Sequence, residues 1–220
     1  LEVLHDLSLD VEGGVVGLFG PNGAGKTTLI NAILGMNKVT GGTITFEGRE
    51  IQNTPTHEVV RSGIALVPQE RELFPFMTVL ENLRLGAEQI EHARERQEES
   101  LEEVFSHFPI LRERTKQPAV TMSGGQQRML AVGRALMARP RLLILDEPSL
   151  GLQPSIVHSL FTTLSEMKSS VTILLTEQNV RESLRVVDRG YILENGRIAL
   201  SGSAGELANN PDVERSYLGL

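Results

Sequence analysis

The stretch Gly20-Pro21-Asn22-Gly23-Ala24-Gly25-Lys26-Thr27-Thr28 has the spacing G-x-x-x-x-G-K-S/T. Its glycines let consecutive backbone N–H groups wrap a phosphate. Lys26 adds a cation that reaches β and γ phosphates, and the Thr27 hydroxyl can ligate Mg2+. A glycine turn beside an exposed lysine is the plainer reading. It loses here because the stretch follows the apolar run GVVGLF, Gly14 to Phe19, and opens a helical pattern. Two acids extend the chemistry. RLLILDEP ends a hydrophobic run on Asp146, placed for Mg2+ coordination through water, and the next residue, Glu147, can orient or deprotonate an attacking water. A third stretch, MSGGQQRML, Met122 to Leu130, reads as a helix start. Ser123 caps it, Gln126 holds the capping-box position, and Gly124 and Gly125 leave bare N–H groups at the positive end of the helix. One chain thus carries two sequences suited to phosphate.

These groups need elements to hold them. The apolar runs Gly14 to Phe19, Arg141 to Asp146 and Val171 to Thr176 are short and continuous, and each leads into a turn signal and then a helical pattern. That is the signature of central strands in a parallel sheet. Lys26 to Leu34 is helical and stops at Gly35. Ile156, Leu160, Leu164 and Met167 recur at helical spacing, and Asn179 with Glu182 marks a further helix cap. TITFEGREI, Thr43 to Ile51, predicts a strand and turn; YILENGRIAL, Tyr191 to Leu200, predicts a hairpin turning at Asn195-Gly196. From Thr78 to about Phe108 the composition turns polar and helical. Thr78 and Glu81 form a capping box, Leu101, Val104, Phe105 and Phe108 form an apolar stripe, and EHARERQEES is a solvated face. The expected fold is α/β, a P-loop (RecA-like) parallel-sheet core with an antiparallel β portion. It is expected to form one domain over residues 1–220, interrupted by an inserted α-helical subdomain over residues 75–131 that ends on the SGGQ stretch.

Composition bounds the function. With 21 basic and 28 acidic residues the net charge is −7, which argues against a nucleic-acid binder with its basic footprint. Cysteine is absent, so no disulfide framework or thiolate metal site is available. No apolar run approaches the ~20 residues of a membrane span, and no signal peptide is visible. There is no initiator Met, which leaves open a segment ahead of Leu1.

The phosphate loop, Gln69 in LVPQERELFP, MSGGQQ and LLILDEP, in that order, resemble the ATPase subunit of an ATP-binding cassette (ABC) transporter, over nearly the whole chain. The resemblance implies ATP and Mg2+ as cofactors. It places Asn22, Gly23, Ala24, Gly25, Lys26, Thr27 and Thr28 around the nucleotide and Thr27, Gln69 and Asp146 at the metal. Glu147 acts on water. It further implies a second ATPase subunit meeting this one head to tail, so that Ser123, Gly124, Gly125 and Gln126 close over ATP held by the partner. Integral-membrane permease subunits would touch the helical insertion, and the chain would sit peripherally on the cytoplasmic face of the inner membrane. ERELFPFMTVLENLRLGA, EPSLGLQPS, TEQN and DRGYILENG resemble the ATPase subunits of branched-chain amino-acid importers. NVRESL and the final YLGL resemble the lipopolysaccharide-transport ATPase, the alternative.

Three positions depart from the family pattern. Met122 stands where the signature has Leu, and Gln153 where the downstream loop has Asp. Gln178, counted back from Asp188, stands where a His contacts the γ-phosphate. Gln178 is therefore expected to sense that phosphate without acting as an acid or base. The resemblance puts the adenine-stacking aromatic just ahead of Leu1. The competing class is a soluble ABC-type ATPase of repair, chromosome structure or translation. Ser123 follows Gln69 too closely for the long coiled coil of the first two, and the chain has one cassette where translation types have two. A regulator that binds nucleotide without hydrolysis is disfavoured by the intact Glu147.

Overall fold

The computed structural model describes residues 2–218; Leu1 and the last two residues of the YLGL stretch lie outside it. Among the described residues eight strands form: β1 (Val15–Phe19), β2 (Thr45–Phe46), β3 (Arg49–Glu50), β4 (Ile64–Val67), β5 (Leu142–Asp146), β6 (Thr172–Glu177), β7 (Arg189–Glu194) and β8 (Arg197–Ser203). Six of them make one sheet in the order β4-β5-β6-β1-β7-β8. All neighbours pair in parallel except β7 with β8. β2 and β3 pair separately and antiparallel. The three apolar runs are central strands as expected, because a strand covered on both faces must be apolar at every position.

The antiparallel portions follow from turn chemistry. Asn195 and Gly196 take φ of 48° and 75°, the paired left-handed conformation that a two-residue hairpin needs. Glu47 and Gly48, at 49° and 76°, do the same between β2 and β3. Strand β4 has no signal in the sequence pattern. Its four residues, IALV, are too few to show a period, and Pro68 ends it.

Helix α1 (Lys26–Ile33) follows the glycine-rich loop, and α2 (Thr56–Arg61) precedes β4. Between β4 and β5 lie α3 (Val79–Leu85), α4 (Glu91–Glu95), α5 (Gln97–His107), α6 (Pro109–Glu113) and α7 (Gly124–Leu136). The polar stretch after Thr78 is thus several short helices, and α7 runs on to Leu136. Both expected capping boxes form, at Thr78/Glu81 and Ser123/Gln126. Gly86 lets α3 cross α7 closely, since a Cβ there would meet the Arg134 carbonyl oxygen at 2.0 Å. Then come α8 (Pro154–Met167) and α9 (Val180–Ser183).

The sheet separates two apolar layers. Leu143, Leu145, Ile173 and Leu175 face one layer with the α3–α8 helices; Val16, Leu18, Ile144 and Leu174 face the other with α1. The alternation is the period-2 pleat read on both faces. No helix among the described residues is long and apolar enough to cross a membrane.

Candidate active site

Parallel strands end on one edge, and the four loops leaving β1, β4, β5 and β6 there carry Gly20 to Gly25, Gln69, Glu147 and Gln178. In open α/β sheets that edge is where ligands sit. The loop after β1 turns on left-handed glycines, Gly23 at φ 81° and Gly25 at 113°. Gly25 is the N-cap of α1 with no side chain capping it and no acid in the first turn, so the helix start keeps its N–H groups and dipole for an anion. Gly20 must lack a side chain, because a Cβ would meet the Leu193 carbonyl oxygen at 2.2 Å.

Lys26 opens α1 and is 4% exposed. Its Nζ donates to the carbonyls of Gly20 at 2.7 Å and Pro21 at 3.2 Å and pairs with Glu147 Oε1 at 3.1 Å. Asp146 ends β5 and Glu147 follows it, buried at 6% and 8% exposure. Thr27 Oγ1 donates to Asp146 Oδ2 at 3.2 Å. A hydroxyl and a carboxylate at that separation form a hard-oxygen pair of the kind that binds Mg2+ together with substrate phosphates.

Two further groups stand at this edge that no motif in the sequence marks. Thr176 faces Asp146 across the β5–β6 register. Its hydroxyl donates to Asp146 Oδ1 at 2.6 Å and accepts the Glu147 N–H at 3.2 Å. The Thr176 carbonyl takes the same N–H at 3.1 Å. Those bonds hold Glu147 at φ 45°, a conformation uncommon for a residue with a side chain. Glu177 is 2% exposed and accepts the Ser149 N–H at 2.8 Å. Burial pushes its carboxyl above the usual range, the Glu147 charge adds to this, and the Ser149 bond opposes it. The signal for Thr176 was a hydroxyl at the end of an apolar strand beside the one ending on Asp146.

Gln178 follows β6 and is exposed. It does not cap α9; the Asn179 side chain does, accepting the Glu182 N–H at 3.4 Å. Gln69 is half-buried in a turn whose Pro68 carbonyl accepts the Arg71 N–H at 3.2 Å. Arg128, on α7, is 1% exposed and donates to the carbonyls of Pro68 at 2.9 Å and Gln69 at 2.7 Å. Burial, with Arg71 adding repulsion, pushes the Arg128 guanidinium down to about 10, so it remains charged at neutral pH.

Ser123 to Gln126 stand apart from the loop at Gly20 to Thr28: among the described residues no hydrogen bond or ion pair joins them. The capping box consumes the Ser123 hydroxyl and Gln126 amide oxygen. Gly125 is buried against Ile156 of α8, and Gly124 lies beside the Arg71 guanidinium.

Residues 4–150 match the ABC transporter family. The high-affinity branched-chain amino acid transport ATP-binding protein BraG of Pseudomonas aeruginosa is 43% identical, over all of this chain and 94% of its own length. The lipopolysaccharide export system ATP-binding protein LptB of Acidithiobacillus ferridurans is 37% identical, over 99% of this chain and 90% of its own. Among solved structures, an ATP-binding cassette of an ABC transporter in its ADP conformation superposes with a TM-score of 0.83 at 31% identity, covering 99% of this chain and 93% of that one. The phosphate loop, the buried lysine–glutamate pair and the parallel sheet that carries them are therefore those of a chain that belongs to the ABC transporter family, as one of its ATPase cassettes.

Proposed function

We propose that this ATPase powers import of branched-chain amino acids. The observation that carries the ATPase site is the Lys26–Glu147 pair, buried at the carboxyl edge beside the Thr27–Asp146 oxygens. Asn22 to Thr28 wrap the phosphates of ATP. Thr27 and Asp146, with Gln69, would hold Mg2+, whose charge would offset the charge that builds on the phosphates. Glu147, released from Lys26 by the arriving phosphate, takes a proton from the attacking water. Gln178 donates a hydrogen bond to the γ-phosphate.

Ser123, Gly124, Gly125 and Gln126 serve a second ATPase subunit. Their lack of contact with the chain's own phosphate loop supports that reading, since a helix start supplied in trans makes hydrolysis depend on closure. The helical insertion, residues 75–131, meets integral-membrane permease subunits. Phe76 at 87% exposed, Phe74 at 51% and Val120 at 52% support it as an apolar surface flanking the Gln69 loop. The assembly places the chain on the cytoplasmic face of the membrane, with no nucleic-acid partner.

The higher identity to BraG than to LptB favours amino-acid import over lipopolysaccharide transport. The test is co-purification from native membranes with the permease subunits, followed by hydrolysis in liposomes. Leucine, isoleucine or valine with their binding protein should stimulate ATP turnover. Stimulation by lipopolysaccharide instead would move the chain to the alternative.

A further inference from the structure

Among the described residues Arg128 is the largest fully buried side chain, and the assignments above give it no task. Its surroundings are specific. The planar fork sends Nη1 to the Pro68 carbonyl and Nη2 to the Gln69 carbonyl, at 2.9 and 2.7 Å. The two oxygens belong to successive residues. Orienting both carbonyls restricts the torsions on either side of the Gln69 Cα and so fixes the direction of its Cβ. Other α7 side chains fasten the same segment. Gln127 Oε1 accepts from Arg71 Nη1 at 3.0 Å, and the Arg134 guanidinium lies 5.7 Å from the centroid of the Phe74 ring. The Gln69 side chain itself has no hydrogen-bond partner among the described residues. The backbone therefore sets the direction of its Cα–Cβ bond, and Arg128 holds that backbone.

We infer that Arg128 is a positioning residue that aims Gln69 at the nucleotide site and ties that aim to α7, the helix that begins with Ser123 to Gln126. The inference rests on the proposed role of Gln69 at the metal. Lysine cannot replace arginine here, because an ammonium is a point donor where the guanidinium is a rigid two-pronged one. One carbonyl would stay held and the other would turn.

The experiment is a double-mutant cycle on hydrolysis by the full chain, using Gln69→Ala and Arg128→Lys, with Arg128→Gln as a second variant should the lysine form fold poorly. Arg128→Lys should lower kcat roughly tenfold, leave KM for ATP within about twofold, and raise the Mg2+ concentration needed for half-maximal rate as Gln69→Ala does. The double variant should be no slower than Gln69→Ala alone, because groups that act through one another are not additive. A residue that merely supports the fold would instead multiply the two losses. Multiplied losses, or an unchanged kcat and Mg2+ requirement in Arg128→Lys while Gln69→Ala is impaired, would overturn the inference alone. An unimpaired Gln69→Ala would overturn the Gln69 assignment and the inference with it.

Discussion

The Lys26 ammonium lies 3.1 Å from the Glu147 carboxylate, with both side chains at least nine-tenths buried. The residue proposed to bind phosphate is paired with the residue proposed to act on water. Each keeps the other's charge compensated in a place where an unpaired ion would be costly. Nucleotide must exchange one anion for another at Lys26. Glu147→Gln removes the competitor and the repulsion, so ATP should bind roughly fivefold tighter, about 1 kcal/mol, while turnover falls by about a hundredfold or more. Calorimetry and steady-state hydrolysis measure the two. Lys26→Ala should abolish binding and, by stranding Glu147, lower stability without nucleotide by about 3 kcal/mol. Unchanged ATP affinity in Lys26→Ala would refute the assignment.

Thr176→Val tests the bracket that holds both acids. The substitution keeps shape and removes one hydroxyl, leaving Asp146 with only Thr27 and the Glu147 N–H with only a carbonyl. Stability should fall by about 1–2 kcal/mol. Turnover should fall roughly tenfold with a raised Mg2+ requirement, because Asp146 loses the bond that orients it. A variant that is less stable but hydrolyses ATP with the parent's Mg2+ dependence would make Thr176 a purely structural residue.

Much of this site was legible because its residues are consecutive. Lys26 and Asp146 stand next to the apolar runs that position them, and Asn195-Gly196 announces its own turn. Thr176 and Arg128 were not legible, because their partners lie 30 and about 60 residues away and meet them only through the sheet register and a helix packed across β4. Strand β4 itself hid in four residues. Gln69 could be named from motif order, but nothing local indicated that a buried guanidinium holds its backbone.

Gln178 should affect the rate more than the binding. It sits past β6 with the helix cap already supplied by Asn179, so its amide is free of that duty. A neutral amide donates a hydrogen bond of roughly half the strength of a charge-assisted one. Gln178→Ala should slow hydrolysis several-fold with ATP affinity changed by less than about threefold. Gln178→His should retain turnover and acquire a pH dependence near pH 6.5, where imidazole titrates. If Gln178→Ala turns over ATP like the parent from pH 6 to pH 9, the residue does not sense the γ-phosphate.

The two glycines that open α7 should fail for different reasons. A Cβ on Gly125 would lie 2.7 Å from Ile156 Cγ2, so Gly125→Ala pushes α7 away from α8. Overpacking of this kind costs about 1–3 kcal/mol. Trimming the obstacle with Ile156→Ala should restore both melting temperature and hydrolysis, since the added methyl points at α8 and leaves the N–H groups bare. A Cβ on Gly124 meets only the Arg71 guanidinium, at 3.3 Å, which is the movable end of a long side chain. Gly124→Ala should therefore keep the parent's melting temperature while it crowds the approach to the helix start and slows hydrolysis. Thermal melts and turnover on the three variants separate packing from ligand contact. A Gly125→Ala/Ile156→Ala double variant that melts like the parent yet stays inactive would show that Gly125 is needed for the contact with the partner's nucleotide rather than for packing.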